Sequence, residues 1–288
     1  MTDDRPSRLP RLPDPPAGGY FDASSTLGEW PSRRLNGSPP PSPTELVARR
    51  IVHMDRLGIR RAAVSSLDAV WLKDSSVANA ELHALVRGHT DRFLPLYTLN
   101  PIFPSAADHL KRCTDEHGLA AGHGAIRLYP GYHVYALDDP RVDACLERIA
   151  SIGVPVMLTM QLEDARLHQP AMRVPDLLVP DVLALCARWP AIRWIVSGAR
   201  FAEAQGIGRQ LPPDAQVWIE LSRVQGPVDA IPTLCRAAGA QRLLFGTNTP
   251  LHLPEAAILE LADARLSPED DAAIRYQNAA RALALTHT

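Results

Sequence analysis

Short apolar runs rich in Val, Ile, Leu and Ala alternate along this chain with longer amphipathic stretches. Runs over 20–28, 61–66, 93–99, 124–129, 154–160, 192–197, 216–221 and 242–245 read as strands, since each is short and nearly continuous in its hydrophobicity. Between them the spacing predicts helices over 44–57, 77–89, 105–117, 139–152, 175–189 and 227–238, with 254–261 opening a final pair. Ser42 or Thr44 can cap the first helix, with Glu45 placed to favour its N-terminus. Gly153 stops the helix before the fifth strand, and Pro190 ends the next. No helix is read between the sixth and seventh strands.

Buried strands alternating with helices pair in parallel through right-handed crossovers. Eight such units suit a closed (β/α)8 TIM barrel in a single domain better than an open doubly wound sheet. No GxGxxG follows the first strand, and Gly206-Ile207-Gly208 is too short a match to count as one. Residues 1–19, rich in Pro, Arg and Asp, read as a mobile or surface-draped extension, with the barrel over 20–288.

Composition narrows the function classes. A chain of 288 residues, 46% of them hydrophobic, can bury one large core. The net charge of −2 comes without long basic or acidic runs, which argues against nucleic acid and anionic membrane surfaces as partners. No apolar stretch approaches the roughly 20 residues of a bilayer span, and no signal-peptide pattern opens the chain. Cys113, Cys145, Cys186 and Cys235 are far apart and fit free thiols in a reducing cytoplasm.

In a barrel of this kind, chemistry belongs at the C-terminal strand ends and the loops after them. That rule selects Asp22, Ser24, Thr26, Ser65, Ser66, Tyr97, Asn100, Arg127, Tyr129, Thr159, Gln161, Ser197, Glu220, Ser222 and Asn248.

Five segments carry a family resemblance: FDASSTLGEWP (21–31), GAIRLYPGYHVYALDDP (124–140), GVPVMLTMQLED (153–164), LLFGTNTP (243–250) and NAARALAL (278–285). Together they resemble the amidohydrolase-related family, amidohydrolase family 2. The resemblance implies a (β/α)8 barrel in which many members use a divalent metal to hydrolyse, decarboxylate or hydrate small organic acids. Its metal-ligand positions fall here on different chemistry. The strand-1 His-x-His pair falls on Ser24 and Thr26, the strand-5 histidine on Thr159, the strand-6 histidine near Ser197 or Gly198, and the strand-8 aspartate on Asn248. Hydroxyls and an amide hold zinc poorly, so no metal and no other cofactor is expected.

The surrounding loops offer substitutes. Glu163 or Asp164 could act as general base and His133 or His168 as acid. Arg127 would grip a carboxylate, with Tyr129, Asp22, Asn248, Glu220 and His252 lining the pocket. Each has a structural alternative: Arg127 with Glu220 as a core ion pair, Glu163-Asp164-x-Arg166 as a loop pairing with itself, and His168 and His252 as solvated loop residues. A metal site rebuilt from His133, Glu163, His168 and His252 has no compact motif behind it, and no serine sits in a GxSxG elbow.

Two functions follow. One is a metal-independent hydrolase cleaving an ester, lactone or amide of a small carboxylated molecule, with a homodimer as a candidate assembly. The other is a catalytically inert barrel kept as a binding or partner protein. An enzyme should bring a carboxylate and an imidazole to one point, whereas an inert barrel should have a plugged mouth.

Overall fold

The computed structural model describes residues 12–28, 41–164, 166 and 174–285. Its frame is a ring of eight parallel strands: β1 (Tyr20–Leu27), β2 (Ile59–Ser66), β3 (Phe93–Thr98), β4 (Ala125–Leu128), β5 (Val156–Thr159), β6 (Trp194–Ser197), β7 (Val217–Glu220) and β8 (Leu243–Leu244). They pair in chain order from β1 to β8. The ring closes through individual backbone bonds between its two ends. Ala23 N donates to Phe245 O at 2.9 Å, Thr26 N to Thr249 O at 2.8 Å, and Asn248 N to Ser24 O at 2.7 Å.

The helices are α1 (Pro43–Leu57), α2 (Ser76–Val86), α3 (Ala106–Asp115), α4 (Pro130–His133), α5 (Pro140–Ile152), α6 (Val179–Arg188), α7 (Phe201–Gln210), α8 (Ala230–Ala238), α9 (Pro254–Asp263), α10 (Pro268–Ala272) and α11 (Asn278–Ala282), with a π-helical turn over Ala273–Gln277. Ser42 caps α1 by accepting from Glu45 N at 3.2 Å, and Gly58 ends that helix in the left-handed region. Asp139 and Gly153 play the same parts for α5.

Two helices, α4 and α7, are additions to the elements expected from the sequence. Their signals are weak for physical reasons. The first is a single turn, and the second contains Gly206 and Gly208, each costly in a helix interior. Gly208 is nonetheless required, because a Cβ there would press into Ala238 of α8 at 2.7 Å. Of the predicted extension over 1–19, residues 1–11 lie outside the described residues. Leu12 packs against the main core.

Strand side chains alternate between two environments, as a period of two demands. Ile126, Leu128, Val156, Leu158, Trp194, Val196, Val217 and Ile219 join the helices in the outer core. Their neighbours Ala125, Met157 and Ile195 face inward with Phe21, Ala23, Ala63, Leu96 and Leu244, and Trp218 packs on them. Ala279, Ala282 and Leu283, in and just after α11, complete this inner cluster. One step further along each strand, the inward positions become Arg127, Thr159, Ser197 and Glu220. The barrel interior therefore has an apolar floor and a polar layer directly above it.

Where the β6 end turns, Gly198 lies at φ +75°, and a Cβ there would overlap the Gln161 carbonyl. Gly198→Ala should cost about 2–4 kcal/mol, combining left-handed strain with a backbone clash. A urea titration would show it as a lowered midpoint at unchanged slope.

Candidate active site

The polar layer is organised around the Arg127 guanidinium, which is fully buried. Its Nε donates to Thr159 Oγ1 at 3.0 Å, and Nη1 to Ser65 Oγ at 3.1 Å and Ser25 O at 3.4 Å. Nη2 donates to Ser24 Oγ at 3.1 Å. Four of the five N–H groups of an arginine are thus engaged by barrel oxygens. The guanidinium also lies 5.0 Å from the Tyr129 ring centroid, and Tyr129 Oη shares a 3.0 Å hydrogen bond with Ser65 Oγ.

A chain of hydroxyls leads from this cation to a carboxylate. Ser197 Oγ donates to Glu220 Oε2 at 2.7 Å, so its single proton is committed there. Across the 3.2 Å Ser24–Ser197 contact the donor must then be Ser24, which accepts from Arg127. The result is a polarised relay, Arg127 to Ser24 to Ser197 to Glu220. Ser222 adds its N–H at 2.5 Å and its hydroxyl at 3.0 Å to the same carboxylate. Gly246 makes room for it, since any Cβ there would overlap Glu220.

Asp22 is the second buried carboxylate. It accepts from Thr247 Oγ1 at 2.6 Å, Thr247 N at 2.9 Å and Ser24 N at 3.2 Å, tying β1 to the end of β8. Burial pushes its pKa up to about 7, against the lowering effect of the Thr247 hydrogen bonds and of Arg50. Burial likewise raises the Glu220 carboxyl, with Ser197, Ser222 and Arg127 pulling the other way.

The other expected residues separate. Asn248, in the left-handed region at φ +50°, donates Nδ2 to Leu162 O at 2.7 Å, which pins the loop after β5 over the mouth. Glu163 is buried beside it in that loop. His133 is fully buried in α4 with Nε2 3.0 Å from Ala69 O, and burial depresses its pKa to about 4. Asp164 is on the rim, where hydrogen bonds from Arg166 hold its carboxyl well below the usual range. His252 Nδ1 sits 3.1 Å from Ser222 O. His168 lies outside the described residues. Tyr129, against the guanidinium, belongs to a separate buried apolar cluster with Leu67, Val70, Tyr132, Leu162 and Leu251. Sequence reasoning left three participants unassigned: Thr247, which holds Asp22; Arg50, whose Nη2 donates to Thr26 O at 2.8 Å; and Arg223 behind β7.

The Amidohydrolase family profile matches residues 29–285. The chain belongs to the amidohydrolase family. No curated protein matches it. Among solved structures, 5-carboxyvanillate decarboxylase from Sphingomonas paucimobilis is similar at TM-score 0.68 and 15% identity, covering 93% of this chain and 99% of that one. The 2,6-dihydroxybenzoate decarboxylase from Rhizobium gives TM-score 0.68 at 17% identity, with the same coverage of 93% and 99%. A dihydroxybenzoic acid decarboxylase from Polaromonas sp. JS666, solved with manganese and 2-nitroresorcinol, gives 0.62 at 19% identity over 83% of this chain and 86% of that one.

The residues on which the resemblance sets the family's metal ligands do not offer a donor set that fits a divalent ion. Ser24, Thr26, Thr159, Ser197 and Asn248 supply only neutral donors, and two of them, Ser24 and Thr159, already accept from the Arg127 guanidinium. Among the described residues no group of three His, Cys, Asp or Glu side chains is assembled to hold a metal.

Two outcomes follow from these charges. Arg127→Met should cost about 3–5 kcal/mol in urea unfolding, because it leaves Glu220 and the surrounding hydroxyls without their cation. Between about pH 4 and 7 the folded protein holds a proton on Asp22 that the unfolded chain has released. Stability should therefore fall as pH rises through that window, and Asp22→Asn should flatten the slope measured by thermal unfolding.

Proposed function

We propose that this amidohydrolase-family barrel has exchanged the metal-dependent reaction centre for an internal guanidinium and works as a catalytically inert binding or partner protein. The observation that carries the reading is the seat of Arg127. A positive charge already lies among the ligand positions, and its donors are engaged by Thr159, Ser65, Ser25 and Ser24 rather than directed at a ligand. The apolar cluster of Leu67, Val70, Tyr129, Tyr132, Leu162 and Leu251, which Tyr129 sets against the guanidinium, supports a plugged mouth. The similar decarboxylases act on aromatic acids, which favours a small organic acid over a macromolecule as the bound species. No described helix is long and apolar enough to cross a membrane.

A second reading, the metal-independent hydrolase, draws on one observation. Burial raises both Asp22, to about 7, and Glu220, with the Glu220 charge adding slightly to the rise at Asp22, and perturbed carboxylates in one cleft are typical of acid–base sites. Against it, the candidate imidazole His133 is bonded to Ala69 and Asp164 to Arg166.

Elemental analysis of protein purified without chelator, then incubated with manganese and desalted, should give far less than one metal per chain. A stoichiometric ion would overturn the proposal. Esters and lactones of small carboxylic acids should not be turned over by the wild type, and turnover abolished by Glu163→Gln would establish the hydrolytic reading instead.

A further inference from the structure

Helices α1 and α2 leave a cavity of about 430 Å³ where they meet the ends of β1 and β2, and its walls include Leu27, Leu46, Leu82 and Leu85. All four leucines belong to the outer core or pack against it, so the cavity lies outside the ring of strands. Strand alternation sets its polar edge. Ser65 turns inward to Arg127, and the next residue, Ser66, therefore turns outward to the helices.

Three oxygen-bearing side chains line this cavity: Ser66, Asp68 and Glu81. Ser66 is only 8% exposed, and its hydroxyl has no hydrogen-bond partner among the described residues. A hydroxyl set so deeply ordinarily finds a partner, and one that faces a cavity can take it from a ligand. Asp68 and Glu81 are exposed and form no ion pair among the described residues. Among the described residues no Lys, Arg or His lines the cavity, so its wall carries two negative charges without a counter-charge. The N-terminal end of α1 borders it at Pro43. Proline has no N–H, and Ser42 accepts the Glu45 N–H, so the helix's partial charge of about +0.5 is outweighed by two carboxylates.

We propose that this crevice binds a small primary amine, as its ammonium, with an aliphatic body. The three N–H donors of an ammonium suit three separate acceptors, Ser66, Asp68 and Glu81, while the leucines take the hydrocarbon. An anion is repelled by both carboxylates, and a neutral alcohol forgoes their attraction. The cavity accommodates a chain of about six carbons. The site is independent of what the barrel interior does, since Ser66, Asp68 and Glu81 make none of the Arg127 hydrogen bonds.

n-Hexylammonium is the probe, with 1-hexanol as its neutral counterpart and hexanoate as its anion, each followed by calorimetry and thermal unfolding of the full chain near neutral pH. Hexylammonium should bind with a Kd of about 1–10 mM and raise Tm, while 1-hexanol and hexanoate should bind at least about tenfold more weakly. Raising the ionic strength from about 0.05 to about 0.5 M should weaken hexylammonium binding several-fold. The double variant Asp68→Asn, Glu81→Gln changes two exposed positions, so its ligand-free Tm should stay within about 2 °C of wild type and its affinity should fall at least about tenfold. Glu81→Gln alone and Ser66→Ala should each weaken binding about threefold. The site is overturned if hexylammonium does not bind, if 1-hexanol or hexanoate binds as tightly, or if the double variant or Ser66→Ala keeps wild-type affinity.

Discussion

A full positive charge inside the barrel is the constraint on which the rest of this structure depends. Moving a guanidinium out of water costs several kcal/mol even after relaxation. That cost is tolerable here only because every strand end around Arg127 presents an oxygen. Ser24, Ser25, Ser65 and Thr159 accept from it directly, and Glu220 balances it through two hydroxyls. The positions on which the resemblance sets the family's imidazoles are therefore not simply vacated. Histidines at Ser24 or Thr159 would collide with the guanidinium and bring no acceptor suited to it unless neutral and turned. The cation and its small hydroxyl partners form one unit, and neither half makes sense alone.

The same layer closes the ring. The β8 strand is only Leu243–Leu244, too short to pair with β1 along a regular ladder. Closure relies on a few backbone bonds and on Asp22, which collects three donors from Ser24 and Thr247. A buried carboxylate with a raised pKa reads as a catalytic signal in isolation. Its donors here all belong to the seam between the first and last strands, so its first role is architectural. Glu220 divides its acceptors in a similar way, between Ser197 on the preceding strand β6 and Ser222 in its own loop.

The fold was legible because period-two strands and period-3.6 helices leave marks in a single sequence. The strand-end rule selected Asp22, Arg127, Tyr129, Glu220 and Asn248; all five are buried, with Arg127 against Tyr129 and linked through two serines to Glu220, while Asn248 turns to Leu162. The missed helix α7 carries two glycines, and one of them answers to α8, an element distant in sequence. Loop residues were harder to read. Asp164 and His133 face different partners, Arg166 and Ala69, because a loop's direction depends on contacts such as Asn248 with Leu162 that no spacing encodes. Thr247 gives no signal of its own, since only the fold reveals that its hydroxyl and N–H meet Asp22.

Arg127 and Arg223 show why residue type alone cannot assign a binding role. Both are buried arginines, one on β4 and the other in the loop after β7, and from the sequence Arg127 is the more attractive carboxylate clamp. Counting donors withdraws that role from Arg127. Four N–H groups of Arg127 are consumed inside the barrel, whereas Arg223 reaches one amide oxygen and leaves Nε unmatched. Arg127, with its donors spent on Thr159, Ser65, Ser25 and Ser24, is thus the cation that holds the barrel interior together, a role that only its partners reveal.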